Sequence, residues 1–226
     1  MRRVGIIGGM GPEATVLLMQ RLLHAVSARD DADHVPLIVH QNPAVPSRIA
    51  RLIDGTGADP GPVLAQMARD LHAAGAQALA MPCNTAHAYA PAIRAATDLP
   101  FLDMREATVA ALPPGRIGML ASPAVRLSGA FDAAFAAAGL TMVWPPDEGP
   151  TLELIRRVKA GDSGPAALTG MAQLAKAMAP TCDHLLVGCT ELSLLTKAVE
   201  HPFTDSLDCL VTAILVFAQG AHLHKV

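Results

Sequence analysis

The sequence predicts an α/β protein of two pseudo-symmetric domains, each a mainly parallel sheet flanked by helices, with a site in the cleft between them. Three observations lead there. Short apolar runs alternate with longer alanine-rich amphipathic stretches along the whole chain, the pattern of parallel strands joined by helices packed on both faces. Two cysteine-bearing junctions, Met81-Pro82-Cys83-Asn84-Thr85 and Val187-Gly188-Cys189-Thr190-Glu191, lie almost half the chain apart, and each follows an apolar run and leads into a helical pattern. More weakly, the stretch from Gly5 to Ala14 resembles that from Gly118 to Val125, each opening one half with a strand, a loop and a helix.

The elements follow in order. Val4–Ile7 reads as a strand and Ala14–Ala28 as a helix. Leu37–His40 is a strand, and Pro62–Ala74 a helix with Asp59-Pro60 near its start. Ala78–Met81 is a strand, followed by a helix from about Thr85 to Ala96. Phe101–Leu102 begins a second cycle. In it Ile117–Leu120 is a strand, Ala124–Ala138 a helix and Thr141–Val143 a strand. Helices follow near Thr151–Ala160 and Ala166–Met178, then a strand at His184–Val187 and a helix at Thr190–Ala198. The last helix runs from about Ser206 to His222.

Composition narrows the function classes. A chain of 226 residues with 51% hydrophobic and 16% charged residues can bury a core and is not of disordered type. Net charge is −3 with Lys and Arg scattered, which argues against a nucleic-acid partner. Apolar runs such as Leu210–Phe217 fall short of the roughly 20 residues of a membrane span. The N-terminal Arg2-Arg3-Val4-Gly5-Ile6-Ile7 has too short an apolar core for a signal peptide and reads as a first strand. The expectation is a cytoplasmic protein with reduced thiols and no membrane partner. No CxxC pair and no Cys/His spacing for zinc occurs among its four cysteines.

The cysteines carry the chemistry. Ligands of parallel sheets bind beyond the carboxyl ends of the strands, so two such junctions would point Cys83 and Cys189 into one cleft. A thiol at a helix N-terminus feels the positive dipole end and free N–H groups, which should lower its pKa. A thiolate on one side of a carbon and a thiol on the other form a base–acid pair that removes a proton from one face and delivers one to the other. The outcome is inversion. Cys182 and Cys209 lack this setting and read as small core residues.

Four stretches carry a family resemblance: Gly8-Gly9-Met10-Gly11-Pro12-Glu13-Ala14-Thr15, Asn42-Pro43-Ala44-Val45-Pro46-Ser47-Arg48, Met81-Pro82-Cys83-Asn84-Thr85-Ala86-His87 and Gly188-Cys189-Thr190-Glu191-Leu192-Ser193. In this order they resemble the aspartate/glutamate racemase superfamily, and within it the aspartate racemases. The resemblance implies two pseudo-symmetric α/β domains, catalysis by Cys83 and Cys189, an amino-acid substrate, no pyridoxal phosphate, no metal and a homodimer. It also implies that the final helix returns to the first domain, giving 1–102 plus 209–226 as one domain and 103–208 as the other.

Further site residues follow from the same match. Arg48 corresponds to an arginine that holds a substrate carboxylate, a task suited to its planar fork. The family commonly has Asp before it, where this chain has Ser47. Lys159 resembles a second cationic contact, one cation for each end of a dicarboxylate; it could equally favour a helix C-terminus. Asn84, Thr85 and Thr190 stand beside the thiols to hold the α-carboxylate, although Thr85 and Thr190 could be helix caps. The loop Gly8–Gly11, with Met10, lets backbone approach a ligand; it lacks dinucleotide GxGxxG spacing. Glu191 stands where glutamate racemases carry His, and either tunes the thiol or favours the first helical turn. His87, four residues after Cys83, reads as packed or solvated rather than catalytic.

Three functions compete. The first is racemisation of an acidic amino acid, aspartate before glutamate or a broader range. The second is another superfamily reaction: maleate isomerase, hydantoin racemase or malonate-type decarboxylase. Decarboxylases of that kind need one cysteine, and this chain has both. The third is an amino-acid-binding protein without catalysis.

Overall fold

A computed structural model describes residues 1–220. The first half contains β1 (Val4–Gly8), α1 (Pro12–Ala25), β2 (Leu37–Gln41), α2 (Arg48–Leu52), α3 (Gly61–Ala73), β3 (Ala78–Ala80), α4 (Ala90–Arg94), β4 (Phe101–Leu102) and α5 (Met104–Ala111). The second contains β5 (Arg116–Leu120), α6 (Pro123–Leu127), α7 (Asp132–Ala138), β6 (Thr141–Val143), α8 (Gly149–Lys159), α9 (Pro165–Met178), β7 (His184–Val187), β8 (Phe203–Asp205) and α10 (Ser206–Gln219). Two parallel four-stranded sheets result, ordered β2-β1-β3-β4 and β6-β5-β7-β8.

The second order repeats the first, strand for strand. Each central pair is buried on both faces, which is why β1 and β7 read as continuous apolar runs rather than alternating ones. Side-chain alternation splits each strand between two cores. Ile7 and Leu79 pack under α3 with Leu64, Met67 and Leu71. Ile6 and Ala80 face the other way, against Leu18 and Leu22 of α1 and Leu207, Leu210 and Ile214 of α10. In the second sheet Leu185 and Val187 face α8 and α9, whereas Leu186 meets Phe131 and Phe135 of the α7 side.

Several sequence expectations are corrected. Phe101–Leu102 closes the first sheet by pairing with Leu79 and Ala80, and does not begin the second cycle. The helix expected over Ala124–Ala138 is two helices, because Gly129 takes a left-handed φ of +60° and ends the first. The helix expected from Thr85 to Ala96 is a 3-10 segment, Thr85–Tyr89, followed by α4. Pro91 explains this break: it has no N–H to bond back to His87, but it fits the second position of a new helix. After Cys189 the chain makes a 3-10 segment, Leu192–Ala198, rather than an α-helix from Thr190. The final helix ends at Gln219 on Gly220 (φ +72°); its expected extension to His222, and residues 221–226 of the expected first domain, lie outside the described residues.

Candidate functional site

Topology decides where the two halves can hold a ligand. In each sheet the chain leaves the first strand to one side and returns on the other, so the loops after β1 and β3, and after β5 and β7, part at the carboxyl edge. A cavity of about 580 Å³ opens there. Gly9, Met10, Gly11, Arg48, Cys83 and Thr85 line it from the first half. Ser122, Ile155, Lys159, Cys189 and Glu191 line it from the second. Each half thus contributes a thiol after its third strand and a cation from a helix between its second and third strands, Arg48 at the start of α2 and Lys159 at the end of α8.

Cys83 and Cys189 are each 6% exposed. Cys83 is anchored through its backbone. Its carbonyl oxygen lies 2.8 Å from His87 Nδ1, and His87 Nε2 accepts from the Met104 N–H at 3.2 Å. The two partners fix the tautomer: Nδ1 carries the hydrogen and Nε2 the lone pair. Burial, against the pull of Asp103 at 3.7 Å, lowers the His87 pKa to about 4. His87 is therefore a packed, neutral strut between the Cys83 loop and the first turn of α5.

Cys189 has a different environment. Its Sγ donates to Glu191 Oε2 at 3.0 Å, and Glu191 Oε1 is paired with Lys159 Nζ. Burial first, and then the Glu191 carboxylate, push the Cys189 thiol well above its ordinary value. This corrects the expectation of a thiol lowered by a helix dipole, since the helical segment after Cys189 begins only at Leu192 and is 3-10. Burial works against the charge on Lys159, but Glu191 outweighs it and holds the lysine above its ordinary value.

Arg48 is positioned by backbone alone. Its Nη1 donates to the Pro46 carbonyl at 3.1 Å and its Nη2 to that of Met10 at 3.2 Å. Its Nε is buried without a hydrogen-bond partner, and among the described residues it forms no ion pair. A guanidinium held on carbonyls keeps its full charge for an incoming anion. Ser47, where the family commonly has Asp, caps α2 by accepting from the Ala50 N–H. The glycine loop beside Met10 is tightly placed: Gly9 has φ +96°, and a Cβ there would lie 2.5 Å from the Asn42 backbone.

Of the three residues beside the thiols, Thr85 lines the cavity and neither Asn84 nor Thr190 does. Asn84 and Thr190 are nonetheless buried. No side-chain cap forms at either helical segment. Asn84 instead donates from Nδ2 to Ser206 Oγ at 2.8 Å, and Ser206 donates to the Val187 carbonyl at 2.9 Å. This bridge joins the Cys83 loop to the strand end before Cys189. Sequence reasoning missed Ser206, which has no signal beyond opening the last helix. It also missed Ser122, which lines the cavity and whose place after β5 matches the glycine loop after β1. Cys182 and Cys209 are absent from the cavity wall. Cys182 donates to the Met178 carbonyl, and burial pushes Cys209 up to about 11. Among the described residues no group of three or more His, Cys, Asp or Glu is placed to hold a metal, and no helix is long and apolar enough to cross a membrane.

Residues 7–214 match the family described as Asp/Glu/Hydantoin racemase. The solved structure of the Picrophilus torridus aspartate racemase is similar over 100% of this chain and 97% of that one, with a TM-score of 0.89 and 28% identity. A glutamate racemase from Francisella tularensis, solved in complex with D-glutamate, shares the fold at a TM-score of 0.66 and 17% identity, over 99% of this chain and 84% of that one. The broad specificity amino-acid racemase RacX of Bacillus subtilis is 29% identical over 114 residues, so the match spans 49% of this chain and 49% of that curated relative.

Proposed function

Because the chain belongs to the Asp/Glu/Hydantoin racemase family, we propose that it racemises an amino acid without a cofactor, acting on aspartate first, with Cys83 and Cys189 as the two proton-transferring groups. The observation that carries this reading is the pair of thiols lining one cavity from equivalent junctions of two sheets. One cysteine, as thiolate, takes the Cα proton; the other, as thiol, delivers a proton to the opposite face, and the electron pair left by the first C–H bond forms the second. Arg48 takes one substrate carboxylate and Lys159 the other. Thr85, Met10 and the backbone beside Asn84 and Thr190 complete the site, and Glu191 acts on the Cys189 thiol. Donors aimed at the α-carboxylate stabilise the charge it gains when Cα loses its proton. The reading extends to a homodimer, as the family resemblance implies, and to a cytoplasmic protein.

A second reading, breadth across neutral side chains, is favoured by one observation: Lys159 is already paired with Glu191. The likeness to a broad specificity racemase over half the chain points the same way.

The test is incubation with L-aspartate in deuterated water. The expected product is D-aspartate carrying deuterium at Cα, and Cys83→Ser or Cys189→Ser should abolish its formation. Racemisation at the native rate in either variant would remove the two-thiol mechanism. Absence of exchange with aspartate, glutamate and alanine alike would remove the racemase reading.

A further inference from the structure

Lys159 and Glu191 lie on different elements, the end of α8 and the loop after β7, yet meet in the cavity wall. Their exposures differ: the lysine side chain is 33% exposed and the glutamate 9%. Glu191 is the more buried partner, and its second oxygen holds the Cys189 thiol. Across the space stands the glycine loop, where a methyl built on Gly11 would come 3.7 Å from Glu191 Oε1. The titratable groups around this end are Lys159, Glu191 and the two thiols, with Arg48 and Glu13 elsewhere on the lining. One cation here thus already has one carboxylate.

We infer that Glu191 is an internal stand-in for the substrate's side-chain carboxylate: it occupies Lys159 in the empty site and competes with an acidic side chain for it. The inference rests on the reading that Lys159 receives the distal carboxylate, and it makes Glu191 a specificity-determining residue. A neutral side chain leaves the Lys159–Glu191 pair intact. An acidic one must take the ammonium from Glu191, or share it against a like charge in a buried wall, where charge pairs are weakly screened. The gain from a second cation for aspartate is reduced by what Glu191 gives up. The same side chain that touches the Cys189 thiol therefore also sets how strongly the pocket prefers acidic substrates.

The test separates competition from simple repulsion. Racemic aspartate and racemic alanine are titrated into the whole protein by calorimetry, since racemisation leaves a racemic ligand unchanged in composition. The readout is the ratio of the two affinities. Glu191→Gln keeps the shape and removes the competing charge, so it should raise the aspartate-to-alanine ratio by about tenfold or more. Glu191→Asp, which withdraws the carboxylate from Lys159, should raise it less. In a Lys159→Met background the Glu191→Gln change should raise the ratio much less, because there is no cation left to release and only the like-charge repulsion is relieved. A ratio unmoved by both Glu191 substitutions overturns the inference. So does a rise of undiminished size in the Lys159→Met background, which would be repulsion without competition. Failure of the racemase reading shows elsewhere, as absence of deuterium exchange.

Discussion

Lowering the pH should weaken this protein through His87 before its carboxylates matter. In an unfolded chain a histidine titrates near ~6.5. In the fold, burial lowers His87 to about 4. Between those values the unfolded chain binds a proton that the native state refuses, so native stability falls as pH falls through that window. It is complete above ~6.5 and exhausted below about 4. The difference of about 2.5 pK units corresponds to about 3 kcal/mol, of which about 2 is lost by pH ~4.5. Asp103 lies outside this window. Burial works against its charge, but Arg105 and His87 hold it down at about 2, so its contribution is present above the ordinary Asp value and disappears only below it. The perturbation is His87→Asn, which keeps an N–H on the Cys83 side and removes the titrating ring. It gives up the acceptor for the Met104 N–H, a cost of about 1–3 kcal/mol at neutral pH. Urea unfolding of both proteins from about pH 7.5 to about pH 4.5, followed by circular dichroism, gives the slopes. The parent should lose about 2 kcal/mol more than the variant across that range. Equal losses would refute the assignment of a buried neutral imidazole.

Two other substitutions probe what holds the thiol loops. Ser206→Ala removes both links of the bridge and strands the buried Asn84 amide, whose Oδ1 has no partner already. The expected cost is about 1–3 kcal/mol, lowering Tm by about 2–4 °C per kcal/mol, and adding Asn84→Leu should recover part of it because the buried amide is then gone. An unchanged Tm in Ser206→Ala would show that the bridge carries no stability. Gly9→Ala places a methyl 2.5 Å from the Asn42 backbone at a φ of +96°. It should destabilise the protein by about 2 kcal/mol or more and lower deuterium exchange with aspartate, because the loop must move; an alanine variant with native unfolding and exchange would contradict that geometry.

Much of the fold was legible because its strands are buried on both faces. Val4–Gly8 and His184–Val187 stand out as apolar runs between polar punctuation, and prolines at helix starts such as Pro12, Pro123 and Pro165 mark where helices begin. The shortest strands were not legible. Phe101–Leu102 has two residues, too few for periodicity, and only its pairing with Leu79 and Ala80 assigns it to the first sheet. Phe203–Asp205, three residues of mixed polarity, and α5, which starts a single residue beyond β4, also went unseen. At the site, the thiols and Arg48 were legible because each sits in a compact local motif. The Lys159–Glu191 pair was not, since it joins residues on different elements whose meeting depends on how α8 packs. Nor was the reversal at Cys189, because a motif shows the helix that follows a thiol and not the depth to which the thiol is buried.

The repeated scaffold makes the differences between its halves informative. Asp103, the residue after β4, caps α5, and Asp205, the last residue of β8, caps α10. Four residues beyond each thiol stands the side chain that meets this aspartate: His87 at 3.7 Å from Asp103, and Ser193 at 2.7 Å from Asp205. Both thiol loops are thus tied to the first turn of a capped helix, and the two helices pack near each other along one side of the molecule. The chemistry placed on this frame is not symmetric. Two residues after Cys83 stands Thr85, and two after Cys189 stands Glu191. Arg48 rests on neutral carbonyls and keeps its charge, whereas Lys159 is balanced by a carboxylate that also holds a thiol. On the proposed reading, a substrate with two unlike ends, one bearing the ammonium and one not, gains from such a frame: equivalent loops present the two thiols to one cavity, and unequal cations decide which end lies where. In the proposed reaction, the symmetry supplies the opposed proton carriers, and its breaking at Thr85/Glu191 and Arg48/Lys159 supplies the orientation.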